Sequence, residues 1–168
     1  LQVALQRTEQ GRVHFQRLFH TVPVSTAIVA KDRSILDVNQ AYCERFGFTR
    51  EQALGRSMSD LGVGLIEEDR QRLSAQLQQH RSARNLILSG LRKDGKIYQV
   101  LVNAEMVEFD GEDRVLISSM DVTDMLRAEA ANVARLQAEA ESQTKGRMLA
   151  QIAEEKAASD RLRVLADE

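Results

Sequence analysis

All five phenylalanines and both tyrosines of this 168-residue chain lie between Phe15 and Phe109, and eight of its nine glycines precede residue 112. From Met125 to Glu168 there is no aromatic, no proline and one glycine, Gly146, with eleven alanines among mostly Glu, Arg, Gln and Leu. A segment with no aromatic to bury but rich in helix formers reads as one long helix, not a second core. The length suits one ordinary domain with helical additions. It divides into an N-terminal helix (1–22), a middle domain (23–121) and a C-terminal helix (122–168).

Charge and composition narrow the function. Twenty-three Lys and Arg against 25 Asp and Glu give a net charge of −2, without the basic excess that phosphate contacts require, so no nucleic-acid partner is expected. The lone Cys43 excludes an internal disulfide framework, and three scattered histidines give no zinc spacing. No apolar run approaches the roughly 18 residues of a membrane span. The opening LQVALQ lacks the charged stretch and apolar core of a signal peptide. The expectation is a cytoplasmic internal piece of a longer protein.

Leu1, Leu5, Thr8, Arg12, Phe15, Phe19 and Val22 follow helical spacing up to Pro23. Phe15, Leu18 and Phe19 are expected to pack on the domain, with Leu1 and Leu5 left for a partner helix. Beyond Pro23 the period changes. Thr26–Ala30 and Ile35–Val38 flank a polar turn and read as a hairpin. Short helical pieces follow at 41–46, 50–54 and 60–65, and the acidic trio Glu67, Glu68 and Asp69 opens a longer helix to about His80. Three strands close the domain, at 86–91, 97–107 and 114–120, joined through Asp94-Gly95 and Asp110-Gly111. The expected fold class is α+β: a five-stranded antiparallel sheet with helices on one face, flanked by the two terminal helices.

In their order and spacing, Ala27-Ile28-Val29, Ile35–Asn39 (ILDVN), Ala41–Gly47 (AYCERFG), Thr49–Gly55 (TREQALG), Ile66–Arg70 (IEEDR), Arg92–Gly95 (RKDG) and Asp121-Val122-Thr123 resemble the PAS domain family. The resemblance covers roughly 15–124. It implies a sensory or dimerising module whose curved sheet cups a pocket, with the exit helix carrying the signal onward. Photosensory members carry a reactive cysteine where Met58 stands, and a thioether forms no flavin adduct. Of their flavin-facing amides only Gln99 is kept, with Gly90 and Ser119 at the other two positions. Haem-binding members place an axial histidine where Leu73 stands. His80 lies two turns on, at the helix end, and reads as a dipole-favoured surface residue. Neither flavin nor haem is expected as a cofactor.

The resemblance turns Gln99, Leu101 and Asn103 inward, with Met58, Leu61, Leu65 and Leu73 closing an apolar pocket from the helices. The two amides either orient the polar end of a small apolar ligand or bond neighbouring backbone while the rest is ordinary core. Cys43, beside Tyr42 and Phe46, reads as a packing thiol, with redox sensing as the alternative. Gly62-Val63-Gly64 lacks the third glycine and the setting of a dinucleotide loop. No nucleophile–base arrangement is readable, so no enzymatic activity is expected of these residues.

Asp121 can cap the exit helix, and by resemblance Asp121 and Thr123 tie the last strand to that helix and transmit the signal. Val122, Leu126, Val133, Leu136 and Ala140 form an apolar stripe, which Met148 and Ile152 continue after a four-residue shift and Leu162 resumes. This reads as a parallel homodimeric coiled coil with a stutter near Gly146, or as a helix folded back on its own domain. Residues 138–155 resemble the phosphoacceptor helix of sensor histidine kinases, but Glu154 stands at the histidine. Residues 161–168 (RLRVLADE) resemble the lead-in to diguanylate cyclase (GGDEF) domains. A covalently attached output domain of the second kind is expected.

Overall fold

Helix α1 spans Gln2–Thr21 and stops two residues before Pro23, whose ring fixes φ and removes a backbone donor. The computed structural model describes the backbone of residues 2–109 and 111–166, and side chains from 11 to 109 and 111 to 162. Leu1 and the side chain of Leu5 lie outside the described residues. The chain divides into two units, residues 1–123 and 124–168. Of the face expected to pack on the domain, only Phe19 is buried; Phe15 and Leu18 are 51% and 55% exposed.

The first unit continues with a hairpin, β1 (Ser25–Ala30) and β2 (Ile35–Val38), then helices α2 (Gln40–Phe46) and α3 (Arg50–Ala53). Thr49 starts α3 with a capping box to Gln52. The stretch 60–65, expected as helix, is instead a turn leading to a two-residue strand β3 (Gly64–Leu65). Gly62 and Gly64 hold φ of +70° and +117°, outside the right-handed helical region. Helix α4 (Glu67–His80) follows as read from its acidic first turn, and Asp69 fixes it to the sheet by accepting the Ser89 N–H at 2.6 Å. Strands β4 (Ser82–Leu91), β5 (Ile97–Phe109) and β6 (Glu112–Asp121) complete the unit. The sheet is antiparallel in the order β2-β1-β6-β5-β4-β3, six strands rather than the expected five because β3 pairs with the edge of β4.

Alternation along the strands selects one face for the core. Tyr98, Val100, Val102 and Ala104 of β5 are buried, opposite Gly90, Leu88 and Leu86 of β4 and beside Ile117 and Ser119 of β6. Two apolar clusters result. One joins Ala27, Val29, Ile35, Val38, Tyr42, Ala53, Leu61 and Val63; the other joins Leu73, Leu77 and Ala83 with the buried β4 and β5 residues.

Between α1, β1 and α2 the organising side chain is Asn39, fully buried and fully bonded. Its Oδ1 accepts the N–H groups of Thr26 (2.9 Å) and Tyr42 (3.0 Å), the latter capping α2. Its Nδ2 donates to the carbonyls of Val24 (2.9 Å) and Val22 (3.2 Å).

Helix α5 begins at Thr123, the last residue of the first unit, and runs through the second unit to Ala166, about 66 Å at 1.5 Å per residue. Val133, Leu136, Met148, Ile152 and Leu162 are all roughly half or more exposed along it. The Thr144 hydroxyl donates to the Ala140 carbonyl at 2.9 Å, satisfying a polar group of the apolar stripe within the helix itself. Among the described residues, no helix is long and apolar enough to cross a membrane.

Candidate functional site

The end of β6 is joined to the start of α5 by a compact set of bonds. Asp121 Oδ1 accepts the Thr123 N–H at 3.0 Å and lies 2.7 Å from the Thr123 hydroxyl. Thr123 Oγ1 in turn accepts the Gln99 N–H at 2.9 Å. The hydroxyl carries one proton, and the 2.7 Å contact to a carboxylate takes it in preference to the Gln99 carbonyl at 3.4 Å. The Val122 N–H donates to that carbonyl at 3.0 Å. The second carboxylate oxygen of Asp121 pairs with Arg92 at 2.5 Å. Partial burial would raise the Asp121 pKa, but the Thr123 bonds and the Arg92 and Arg45 charges outweigh it and hold it below the usual carboxylate value. Both residues expected at this junction are thus bonded to each other and to the backbone of β5.

Val122 does not join the exposed stripe expected of it. It is 3% exposed, because its backbone bond to Gln99 anchors it in the domain before α5 begins. Leu126 is half-buried, whereas Ala140 is exposed, like Val133, Leu136, Met148, Ile152 and Leu162.

Inside the sheet a cavity of about 50 Å³ is lined by Met58, Leu65 and Leu73 from the helical side and by Tyr98, Val100 and Val102 of β5. Those three helical-side residues stand where they were expected. Leu61 is buried in the neighbouring cluster and does not line the cavity. Gln99, Leu101 and Asn103 are on the opposite face of β5. That placement corrects the inward orientation drawn from the family resemblance: the Gly90↔Tyr98 register puts the even-numbered residues of β5 under the helices. Asn103 serves the backbone instead, its Oδ1 accepting the Asn85 N–H at 2.8 Å, where Asn85 sits at φ +54° in a bulge of β4.

Several residues at the cavity went unread in the sequence. Ser25 and Tyr42 line it with buried hydroxyls that have no hydrogen-bond partner among the described residues. Burial, and then the neighbouring Cys43 and Tyr98, push the Tyr42 hydroxyl up to about 12. Gly90 matters because a Cβ there would lie 2.3 Å from the Tyr98 ring; the ring packs flat on the strand only because no side chain intervenes. Cys43 is half-buried and packs against the first cluster. Its desolvation, followed by the nearby Glu51, raises the thiol pKa, the reverse of an activated thiolate.

Six curled antiparallel strands, short helices over one face and a bonded strand-to-helix exit define a sensory-module class of α+β domain. The family model described as "PAS domain" matches residues 23–124, and the chain belongs to the PAS domain family. No curated protein matches it. Among solved structures it is similar to a PAS domain from a two-component sensor histidine kinase (15% identity, TM-score 0.57, covering 68% of this chain and 98% of that one). It is also similar to the PAS domain of an HTR-like protein from Haloarcula marismortui (26%, TM-score 0.52, 72% and 99%). A third similar structure is the PAS domain, in complex with ethanol, of a LuxR-family transcriptional regulator from Burkholderia thailandensis (21%, TM-score 0.51, 64% and 96%). The chain is thus a PAS sensory domain, of the kind found in histidine kinases and other signalling proteins.

Proposed function

We propose that this PAS domain transmits its state through the Asp121–Thr123 junction to a parallel coiled coil formed by α5 of two chains, and from there to an attached output domain. The observation that carries the reading is the bond network at residues 121–123. It couples the backbone of a central strand directly to the first residue of a 44-residue helix. Support for pairing comes from the apolar side chains exposed along α5 and from the exposed Phe15 and Leu18 of α1. A two-helix rod weakened by Ala140, Thr144 and Gly146 can hold two registers of similar energy, the bistable element a switch needs. The output is a diguanylate cyclase of GGDEF type, a reading that rests on the character of residues 161–168; catalysis would belong to that domain and not to these residues.

A second reading, a structural dimerisation domain with a filled core, is favoured by the interior cavity. Its volume of about 50 Å³ compares with about 300–1,000 Å³ for a typical ligand pocket. Against a filled core, the orphan hydroxyls of Ser25 and Tyr42 suit a guest of a few heavy atoms, and the similar PAS domain from Burkholderia thailandensis is in complex with ethanol.

Light scattering on the chain tests the pairing. In a Cys43→Ser background, Ala140→Cys, on the stripe, is expected to cross-link on mild oxidation, and Ala138→Cys, on the other side of the helix, is not. A monomer at tens of micromolar, or equal cross-linking at both positions, overturns the coiled coil. Native mass spectrometry separates a guest-bound from a filled core.

A further inference from the structure

A cleft of about 460 Å³ opens on the domain surface between β1, α2, the β4–β5 turn and the end of β6. Its chemistry is uneven. Pro23, Phe46 and Val63 give it an apolar wall, while Arg45, Arg92 and Lys93 bring three cations to it. Two carboxylates answer them, and both are engaged. Asp94 accepts the Lys96 N–H at 3.0 Å and lies 3.5 Å from the Lys96 ammonium, and Asp121 is held by Arg92 and Thr123.

Arg45 is the unusual member. It is half-buried, yet among the described residues it makes no direct ion pair, acting on the Asp121 carboxylate only through space while that group is bonded to Arg92. Its guanidinium donates only to neutral groups: the Ser119 carbonyl (2.8 Å), the Ser119 hydroxyl (3.1 Å) and the Tyr98 hydroxyl (3.0 Å). Charges withdrawn from water are ordinarily paired, and a guanidinium has five donors, so Arg45 keeps capacity for an acceptor. Its central carbon lies 5.2 Å from the Tyr98 ring centroid and that of Arg92 lies 4.9 Å from the same centroid, so one aromatic ring gathers both guanidinium groups. The Lys93 ammonium, 3.5 Å from the Phe48 centroid, likewise has no carboxylate partner among the described residues. Rigid planar donors gathered over an aromatic, next to an apolar wall, match an oxyanion on a short apolar body.

We propose that this cleft binds a small organic anion, its carboxylate or phosphate group held by Arg45, Arg92 and Lys93 and its apolar portion against Phe46 and Val63. The site opens on the outside of the domain and adjoins the interior cavity, with which it shares Ser25, Phe46, Tyr98 and Ser119 as walls, whereas its three cations line the cleft alone. Asp121 is its built-in competitor, since the carboxylate that joins β6 to α5 occupies Arg92. An incoming anion shares that guanidinium and loosens the hold on the junction. This last consequence rests on the transmission reading; the binding itself does not.

Isothermal titration of the 168-residue chain with hexanoate, hexanol and inorganic phosphate tests the site at fixed ionic strength. Hexanoate is expected to bind more tightly than either of the others, since only it offers both the charge and the tail. Lys93→Gln, an exposed change that leaves the fold intact, is expected to weaken hexanoate about tenfold, as is Arg45→Gln, in keeping with the strength of a charge-assisted hydrogen bond. Asp121→Asn is expected to tighten it several-fold by freeing Arg92. Hexanol binding as well as hexanoate, or Lys93→Gln and Asp121→Asn both leaving hexanoate affinity unchanged, overturns the proposal. Because the titration reads binding alone, it can fail while pairing of α5 stands, and the reverse.

Discussion

Replacing Asn39 with alanine removes four hydrogen bonds at once, made by a side chain that is itself fully buried, two of them buried and two part-buried. Two backbone donors, on Thr26 and Tyr42, and the Val22 carbonyl lose their side-chain partner, while the Val24 carbonyl loses one of two and keeps the Thr26 hydroxyl at 2.9 Å. A hydrogen bond contributes about 1 kcal/mol net, and a buried group left unpartnered costs at least as much. The loss comes to about 4 kcal/mol, with the cap of α2 included in that sum. Against the roughly 5–15 kcal/mol that holds a typical domain together, this is a large fraction from a side chain that carries no charge. Urea unfolding followed by circular dichroism reads it directly: with a slope of about 2 kcal/mol/M, the midpoint falls by about 2 M. Asn39→Asp recovers little, because a carboxylate keeps the two acceptor bonds but faces the Val22 and Val24 carbonyls without a donor. A midpoint shift below about 0.5 M at unchanged slope for Asn39→Ala would show that these bonds do not organise the β1–α2 corner.

Three other outcomes follow from the same geometry. Gly90→Ala drives a methyl into the Tyr98 ring, and the displaced ring gives up its bond to Arg45; a loss of about 1–3 kcal/mol is expected, with an altered near-ultraviolet tyrosine signal, and a silent variant refutes the packing. Tyr42 is held neutral in the fold, its pKa raised to about 12 chiefly by burial, against about 10 in the unfolded chain. The stabilisation from this group is therefore complete below pH 10 and declines as pH rises toward 12; Tyr42→Phe should flatten that decline in urea midpoints measured between pH 9 and 12, and an identical slope contradicts it. Gly146→Ala adds a methyl to α5 with nothing among the described residues within 4 Å and should stabilise the helix by about 1 kcal/mol, seen as a higher thermal midpoint of its helical signal; a lower one would mean the glycine is required as such.

The elements that were legible in the sequence are those with punctuation. Helix α4 was readable from its acidic first turn, and the β4–β5 and β5–β6 hairpins from Asp-Gly between apolar runs. What was not legible turns on long-range choices. Both faces of β5 offer apolar residues, so alternation alone could not say whether Leu101 or Val100 points to the core; the register with β4 decides it. Strand β3 is two residues long and exists only because β4 presents an edge to it. The cleft combines residues from β1, α2, the β4–β5 turn and β6, and Arg45, some fifty residues from Tyr98 in the chain, gave no local signal. The junction at 121–123 was readable because its bonds are short in sequence, apart from the link to Gln99.

The account rests on Thr123 connecting the sheet to a paired helix. Thr123→Val keeps the shape of the side chain but deletes the hydroxyl that bonds both Asp121 and the Gln99 N–H. Pulsed electron resonance between spin labels on Ala140→Cys, in a Cys43→Ser background, reports the helix-to-helix distance with and without that hydroxyl. The account predicts a single short distance in the parent and a shifted or broadened distribution in the Thr123→Val protein. Superimposable distributions, or no measurable pair of labels in either, would contradict it.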